Sequence, residues 1–181
     1  MMNVSNVPNL LTLFRFFVTP IVILLLLTDA LWAGILTAIL VSLAGLSDFL
    51  DGYLARNWKS ETNVGKFLDP LADKVLVVAG LIMLVGLGRI HPILVVIIIS
   101  REIFITGLRA IASSKGIIIA AEKSAKYKTT FQMIAVGALA VHETVLGLNG
   151  HLIGLVTLYI SLGFSLYSAM EYVRLFFRKA F

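Results

Sequence analysis

The stretch Leu31-Trp32-Ala33-Gly34-Ile35-Leu36-Thr37-Ala38-Ile39-Leu40-Val41-Ser42-Leu43-Ala44-Gly45-Leu46-Ser47-Asp48-Phe49-Leu50-Asp51-Gly52-Tyr53-Leu54 decides the fold class. It carries no charge from Leu31 to Ser47 and then meets two carboxylates. About 20 apolar residues at a helical rise of about 1.5 Å cover the hydrocarbon core of a bilayer, roughly 30 Å thick. Five further segments of the same kind flank it: Pro8–Leu27, Phe67–Leu87, Pro92–Ser113, Ser124–Leu146 and Leu152–Phe176. Of the 181 residues, 59% are hydrophobic and 14% charged. Water-soluble domains average roughly 45–50% apolar and about 25% charged, so this surplus of apolar side chains has no place in water. The expected fold is all-α: a polytopic membrane protein of six transmembrane helices, forming a single membrane domain over residues 1–181 with no sizeable extramembrane part.

The first segment is read as an uncleaved span rather than a signal peptide. Arg15 lies inside it, and no small-residue cleavage site follows Leu24-Leu25-Leu26-Leu27. Residues 3–16 are a candidate interfacial stretch before the chain enters the bilayer. The chain has no cysteine, which excludes structural disulfides, thiolate catalysis and Cys-ligated metal centres. The net charge of +5 suits basic loops against anionic lipid headgroups. No basic–aromatic module points to nucleic acid, so no nucleic-acid partner is expected.

Lysine and arginine positions set the expected orientation. The connections after the second and fourth segments, with the C-terminus, hold Arg56, Lys59, Lys66, Lys115, Lys123, Arg174, Arg178 and Lys179, and Lys126 and Lys128 open the fifth segment. The opposite connections hold only Arg89. Both termini are therefore expected in the cytoplasm, and termini on one side agree with the even number of spans.

Four acids resist a purely structural explanation. Asp48 and Asp51 close the second segment, and Asp69 and Asp73 open the third. A carboxylate at mid-bilayer costs roughly 2.5–3.5 kcal/mol on insertion scales. Separations of three and four residues place each pair on one helical face, within about 60° and 40°. A short cytoplasmic connection makes the two helices antiparallel neighbours, so the pairs can converge at their cytoplasmic ends. Converging carboxylates repel unless cations intervene, and hard oxygen ligands suit two Mg²⁺ or Mn²⁺ ions, an arrangement for in-line displacement at phosphorus. The bland readings are that Asp69 caps a helix beginning at Pro70, that Lys66 and Lys74 pair with nearby acids, and that Asp51 is interfacial. None of them gives Asp48 or Asp73 a role.

The pattern Asp48-(two residues)-Asp51-Gly52-(two residues)-Ala55-Arg56, eight residues to Gly65, three to Asp69 and three to Asp73 resembles the full signature of the CDP-alcohol phosphotransferases: eight positions across 26 residues. The resemblance implies a six-helix membrane enzyme, usually a homodimer, that moves a substituted phosphoryl group from a CDP-linked donor to an alcohol and releases CMP. It also implies that Asp48, Asp51 and Asp69 ligate two divalent cations and that Asp73 is the general base while also touching metal. The donor is then bound by Asp48, Asp51, Gly52, Arg56, Thr62 and Gly65, with Asn9 and Thr12 from Pro8-Asn9-Leu10-Leu11-Thr12-Leu13-Phe14-Arg15. Gly52, Ala55 and Gly65 equally suit close helix packing, and Arg56 suits either a phosphate or a positive-inside anchor.

A second charge set bears on the acceptor. The fourth segment contains Arg101-Glu102 and, eight residues on, Arg109, two turns apart on roughly one face; the fifth opens with Lys126-Tyr127-Lys128. Arginines inside an apolar helix face a polar cavity or a partner. Glu102 is expected to pair with one of them and leave at least one cation free. Arg101, Arg109, Lys126 and Lys128 together suit a phosphorylated alcohol better than a neutral or cationic one. Arg101-Glu102-Ile103 with Arg109, Lys126-Tyr127-Lys128-Thr129 and Phe67-Leu68-Asp69-Pro70-Leu71-Ala72-Asp73-Lys74 resemble the branch of the family that uses sn-glycerol 3-phosphate and makes phosphatidylglycerophosphate. That branch commonly has Gly where this chain has Ala125.

The expected substrates are CDP-diacylglycerol and sn-glycerol 3-phosphate, with the site facing the cytoplasm from the cell's inner membrane. Inositol phosphate, serine or phosphatidylglycerol as acceptor is the reading within the family that stays open. A divalent-cation transporter is the reading outside it, against which the acids cluster at one end of the bundle with apolar outer halves beyond. His91, His142 and His151 fall in the outer connections and are read as surface histidines; Trp32 and Trp58 suit interfacial belts on opposite sides.

Overall fold

Two of the connections are made by glycine. Gly88 and Gly116 adopt left-handed backbone at φ +69° and +68°. Around them, Arg89 N–H donates to the Leu84 carbonyl at 3.0 Å and Ile117 N–H to the Ala112 carbonyl at 2.9 Å. Both are Schellman ends, which satisfy the last carbonyls of a helix and turn the chain away from it. They close α3 (Asn63–Gly86) and α4 (Pro92–Ser114). Pro92 opens α4, and His91 caps it by accepting from Ile93 N–H at 3.3 Å.

The remaining helices are α1 (Val7–Leu27), α2 (Leu31–Trp58), α5 (Ser124–Val141) and α6 (Gly150–Ala180). The computed structural model describes residues 7–28, 30–58, 63–117, 124–145 and 147–180, with side chains over 14–28, 30–47, 74–117, 127–145 and 147–179. Each expected segment becomes a helix, and the quoted stretch runs unbroken through both carboxylates to Trp58. The fifth is shorter than its apolar run. α5 stops at Val141, His142 turns at φ +59°, and the chain forms an antiparallel hairpin of β1 (Thr144–Val145) and β2 (Leu148–Asn149). The hydrophobicity of Val145 and Leu146 masked that turn.

α5 is the hub. It packs on α2, α3 and α6, while α1 packs on α2 and α3, and α4 lies at the margin against α3 and α6. Close approach comes from small residues: a Cβ on Gly80 would meet Val136 at 2.8 Å, and Gly137 lies against Ala38. The core joins Val22 of α1, Val41 of α2, Leu81 of α3, Val136 and Leu139 of α5 and Leu158 of α6.

Outside this core the usual polarity is reversed. Ile103 is 68% exposed and Phe17 63%, whereas Arg15, Thr37, Ser161 and Ser165 are completely buried. Water would penalise so much exposed apolar surface, and hydrocarbon does not. Among the described residues, Gly150–Lys179 in α6 is long and apolar enough to cross a membrane. Phe14–Leu27, Leu31–Ser47 and Lys74–Gly86 are shorter apolar stretches, and α4 is interrupted by Arg101, Glu102 and Arg109.

Candidate functional site

The helical backbone carries both acidic pairs. Asp48, Asp51, Gly52 and Arg56 lie in α2, and Gly65, Asp69 and Asp73 lie in α3. Regular helix through these positions keeps each pair on one face, as the spacings require. All four donors are carboxylates, a hard oxygen set that fits Mg²⁺ or Mn²⁺. Asn9 and Thr12 lie in α1 and Lys126 in α5; the side chains of all these residues, and Thr62 altogether, fall outside the described residues. Arg15 is fully buried in α1, where its carbonyl accepts from Thr19 Oγ1 at 3.0 Å.

Arg101, Glu102 and Lys128 of the second charge set come together where α4, α5 and α6 meet. Arg101 Nη1 donates to Glu102 Oε1 at 2.7 Å, and Lys128 Nζ donates to the same oxygen. Arg101 Nη2 donates to Ser168 Oγ at 2.5 Å, and Ser168 Oγ donates to the Ser165 carbonyl at 3.1 Å. The cluster is shielded: the Arg101, Glu102 and Lys128 side chains are 9%, 15% and 12% exposed. As expected, Glu102 pairs with one of the two arginines, Arg101, and leaves Arg109 outside the pair; what the spacing did not show is that it takes Lys128 as well. Adjacent positions on α4 point about 100° apart, and Glu102 faces α5 while its neighbour reaches both ways.

Arg109 lies two turns further along α4, with its guanidinium 5.5 Å from the centre of the Tyr172 ring. Ser168 and Tyr172 are one turn apart on α6, so Arg101 and Arg109 both address α6, as expected of one face. Arg109 is exposed and stacked rather than joined to the Glu102 cluster. Such a guanidinium keeps its edge free for an anion while the ring fixes its plane.

One contact ties the two charge sets together. Lys74, which follows Asp73 in α3, donates from Nζ to Thr106 Oγ1 at 2.9 Å. Thr106 is one turn after Glu102 and one turn before Arg109. The helix bearing Asp69 and Asp73 is thus joined to the α4 face that carries the cations. Sequence reading did not foresee Thr106 as a partner of Lys74. It also missed Thr106, Gln132, Ser165, Ser168 and Tyr172. The signal was present in part, because Ser161, Ser165 and Ser168 recur at helical spacing within an apolar helix.

At the opposite end, Arg89 Nη1 donates to the Leu139 and Ala140 carbonyls at 2.9 and 2.6 Å. The single basic residue of the α1–α2, α3–α4 and α5–α6 connections is therefore engaged at the end of α5. His142 and His151 pack edge to face with ring centres 5.2 Å apart, and His151 is half-buried. His91 and His142 are exposed, as expected of surface histidines, while His151 is partly covered by its edge-to-face contact with His142.

A model of the CDP-alcohol phosphatidyltransferase family matches residues 5–167. A CDP-diacylglycerol–glycerol-3-phosphate 3-phosphatidyltransferase of Bacillus subtilis (strain 168) is 38% identical over 179 residues, covering 92% of this chain and 93% of that protein. The enzyme of the same name from Haemophilus influenzae is 36% identical, covering 93% and 92%. That of Wigglesworthia glossinidia brevipalpis is 35% identical, covering 97% of each.

Proposed function

The chain belongs to the CDP-alcohol phosphatidyltransferase family, and on that footing we propose that it transfers the phosphatidyl group of CDP-diacylglycerol to sn-glycerol 3-phosphate. The products are phosphatidylglycerophosphate and CMP, so the enzyme serves phospholipid biosynthesis. Similar proteins carry this reaction in their names over nearly their whole length. The observation in the chain itself that carries the acceptor choice is the cation set of α4 and α5, tied to the Asp73 helix through Lys74 and Thr106. A cluster of guanidinium and ammonium groups shielded from water recognises a phosphate and offers nothing to choline or an unsubstituted sugar.

In this reading the 1-hydroxyl oxygen of glycerol 3-phosphate attacks the phosphorus bonded to diacylglycerol. The bond from that phosphorus to the bridging oxygen breaks, and CMP leaves with the bridging oxygen. Asp73 takes the hydroxyl proton. Asp48, Asp51 and Asp69, with Asp73, would hold two divalent cations, which when bound neutralise the pyrophosphate and the leaving oxygen. Arg101, Arg109, Lys126 and Lys128 hold the acceptor phosphate. Asn9, Thr12, Gly52, Arg56, Thr62 and Gly65 bind the donor head.

The six helices are read as six spans with both termini in the cytoplasm and the site opening there from the inner membrane. The exposed apolar surface, the lysine and arginine asymmetry and the engagement of Arg89 support that reading. A homodimer is the expected assembly. Because the chain has no cysteine, single cysteines placed at Lys59 and Gly147 report sidedness; labelling of both from the same side refutes the topology. The activity test is CMP release from CDP-diacylglycerol by the purified protein with a panel of acceptors. Glycerol 3-phosphate with Mg²⁺ or Mn²⁺ should support turnover and chelation should abolish it. Turnover only with inositol phosphate, serine or phosphatidylglycerol overturns the acceptor assignment.

A further inference from the structure

Glu102 has no part in the reaction described above, yet it is the hub of the cation cluster. One of its carboxylate oxygens accepts from both Arg101 and Lys128, with all three side chains shielded from solvent. Stability alone is a weak reason for such a group. A buried ion pair contributes little compared with apolar residues of the same volume, because desolvation of the charges offsets their attraction. The cluster is also incomplete in a telling way. Arg101 Nε, Gln132 Nε2 and Ser165 Oγ are buried and have no hydrogen-bond partner among the described residues. Gln132 lies one turn beyond Lys128 on α5, and Ser165 lies three residues before Ser168 on α6. Three bare polar atoms, on the three helices that build a net positive cluster and each on a cluster residue or within about one turn of one, are what an oxygen-rich anionic ligand would satisfy.

We propose that Glu102 is a positioning residue for the phosphorylated acceptor, acting by holding the Arg101 guanidinium and the Lys128 ammonium in one fixed arrangement, with Ser168 anchoring the far edge of Arg101. Lys and Arg side chains each lose considerable rotamer freedom when they grip a ligand, and a carboxylate that has already ordered them removes that cost from binding. Without it the two like charges repel and separate. The proposal rests on the acceptor being a phosphorylated alcohol.

The sign of the effect separates positioning from simple neutralisation. If Glu102 only cancelled charge that the ligand needs, Glu102→Gln would expose more positive charge and lower the acceptor KM. Positioning requires the opposite. With purified full-length protein, CMP release is measured at saturating CDP-diacylglycerol with glycerol 3-phosphate varied, and then the reverse. Glu102→Gln should raise the glycerol 3-phosphate KM about tenfold, equivalent to about 1.4 kcal/mol, and leave the CDP-diacylglycerol KM within about twofold. Glu102→Asp should recover part of the loss. In a Lys128→Ala background the further effect of Glu102→Gln should fall below about threefold, since the two act as a unit.

An acceptor KM that is unchanged or lower in Glu102→Gln overturns the proposal, as do equal rises in both KM values or effects that multiply. If Glu102→Gln does not fold, Ser168→Ala, which releases only the far edge of Arg101, must raise the acceptor KM alone. If the wild-type protein ignores glycerol 3-phosphate, the reading beneath the proposal fails separately. The same KM split is then measured with the acceptor that is used: a rise for another phosphorylated alcohol sustains the role of Glu102, and exclusive use of serine ends it.

Discussion

Replacing Arg89 by alanine separates the stability of the bundle from its chemistry. Arg89 follows the Schellman end of α3 and reaches across to α5, where Nη1 donates to the carbonyls of Leu139 and Ala140 at 2.9 and 2.6 Å. α5 needs that help. It ends without a glycine cap, with His142 in left-handed backbone instead; the Ala138 and Val141 carbonyls accept from the His142 and Glu143 N–H groups, and without Arg89 those of Leu139 and Ala140 would lie bare at the negative end of the helix dipole. Each hydrogen bond from a charged donor contributes about 1.5–3 kcal/mol, and the two share one nitrogen. A combined loss of roughly 2–4 kcal/mol is expected for Arg89→Ala. At about 2–4 °C per kcal/mol for a chain of this size, Tm should fall by roughly 5–15 °C. Lysine carries the charge on a shorter side chain without the planar guanidinium that aims both N–H bonds of Nη1, so Arg89→Lys should fall between. The assay is thermal unfolding of purified protein in a fixed detergent, paired with CMP release well below the transition. Activity should be near normal there, because Arg89 sits at the far end of α5 from Lys128. A Tm within about 1 °C of wild type would refute the capping role, and a selective loss of acceptor affinity without loss of stability would refute the separation of the two ends.

Asp73→Asn should lower the rate of CMP release by at least about 100-fold while donor binding persists, and near-normal turnover would remove Asp73 as the base. Arg109→Ala should raise the glycerol 3-phosphate KM about tenfold with little change for CDP-diacylglycerol; an unchanged acceptor KM would take Arg109 out of the phosphate site. Gly80→Leu places a branched side chain where a Cβ alone would lie 2.8 Å from Val136. It should destabilise the α3–α5 packing by about 1–3 kcal/mol in the same thermal assay.

Much of the fold was legible from composition and punctuation. Apolar runs of span length, Pro92, Gly88 and Gly116 are local signals, and the helices begin and end close to where those signals place them. The end of α5 was not legible. Val145 and Leu146 continue the apolar run, whereas the helix turns at His142 and its last turn meets Arg89 arriving from another connection. The same division holds in the site. Spacing along one helix puts Asp48 with Asp51 and Asp69 with Asp73, because helical periodicity is local. It also puts Arg101 and Arg109 toward a common neighbour, and the contacts with Ser168 and Tyr172 of α6 agree.

Pairing between helices followed no rule of spacing. Glu102 joining Lys128 across 26 residues, Arg101 meeting Ser168 across 67 and Lys74 meeting Thr106 across 32 depend on how the helices pack. The amino-acid sequence sets which residues are costly in an apolar chain, since solvation is a property of each side chain and its immediate segment. Tertiary structure alone decided how that cost is met at the cation cluster, because the partners come from separate helices and only packing brings a buried charge within hydrogen-bonding reach of another.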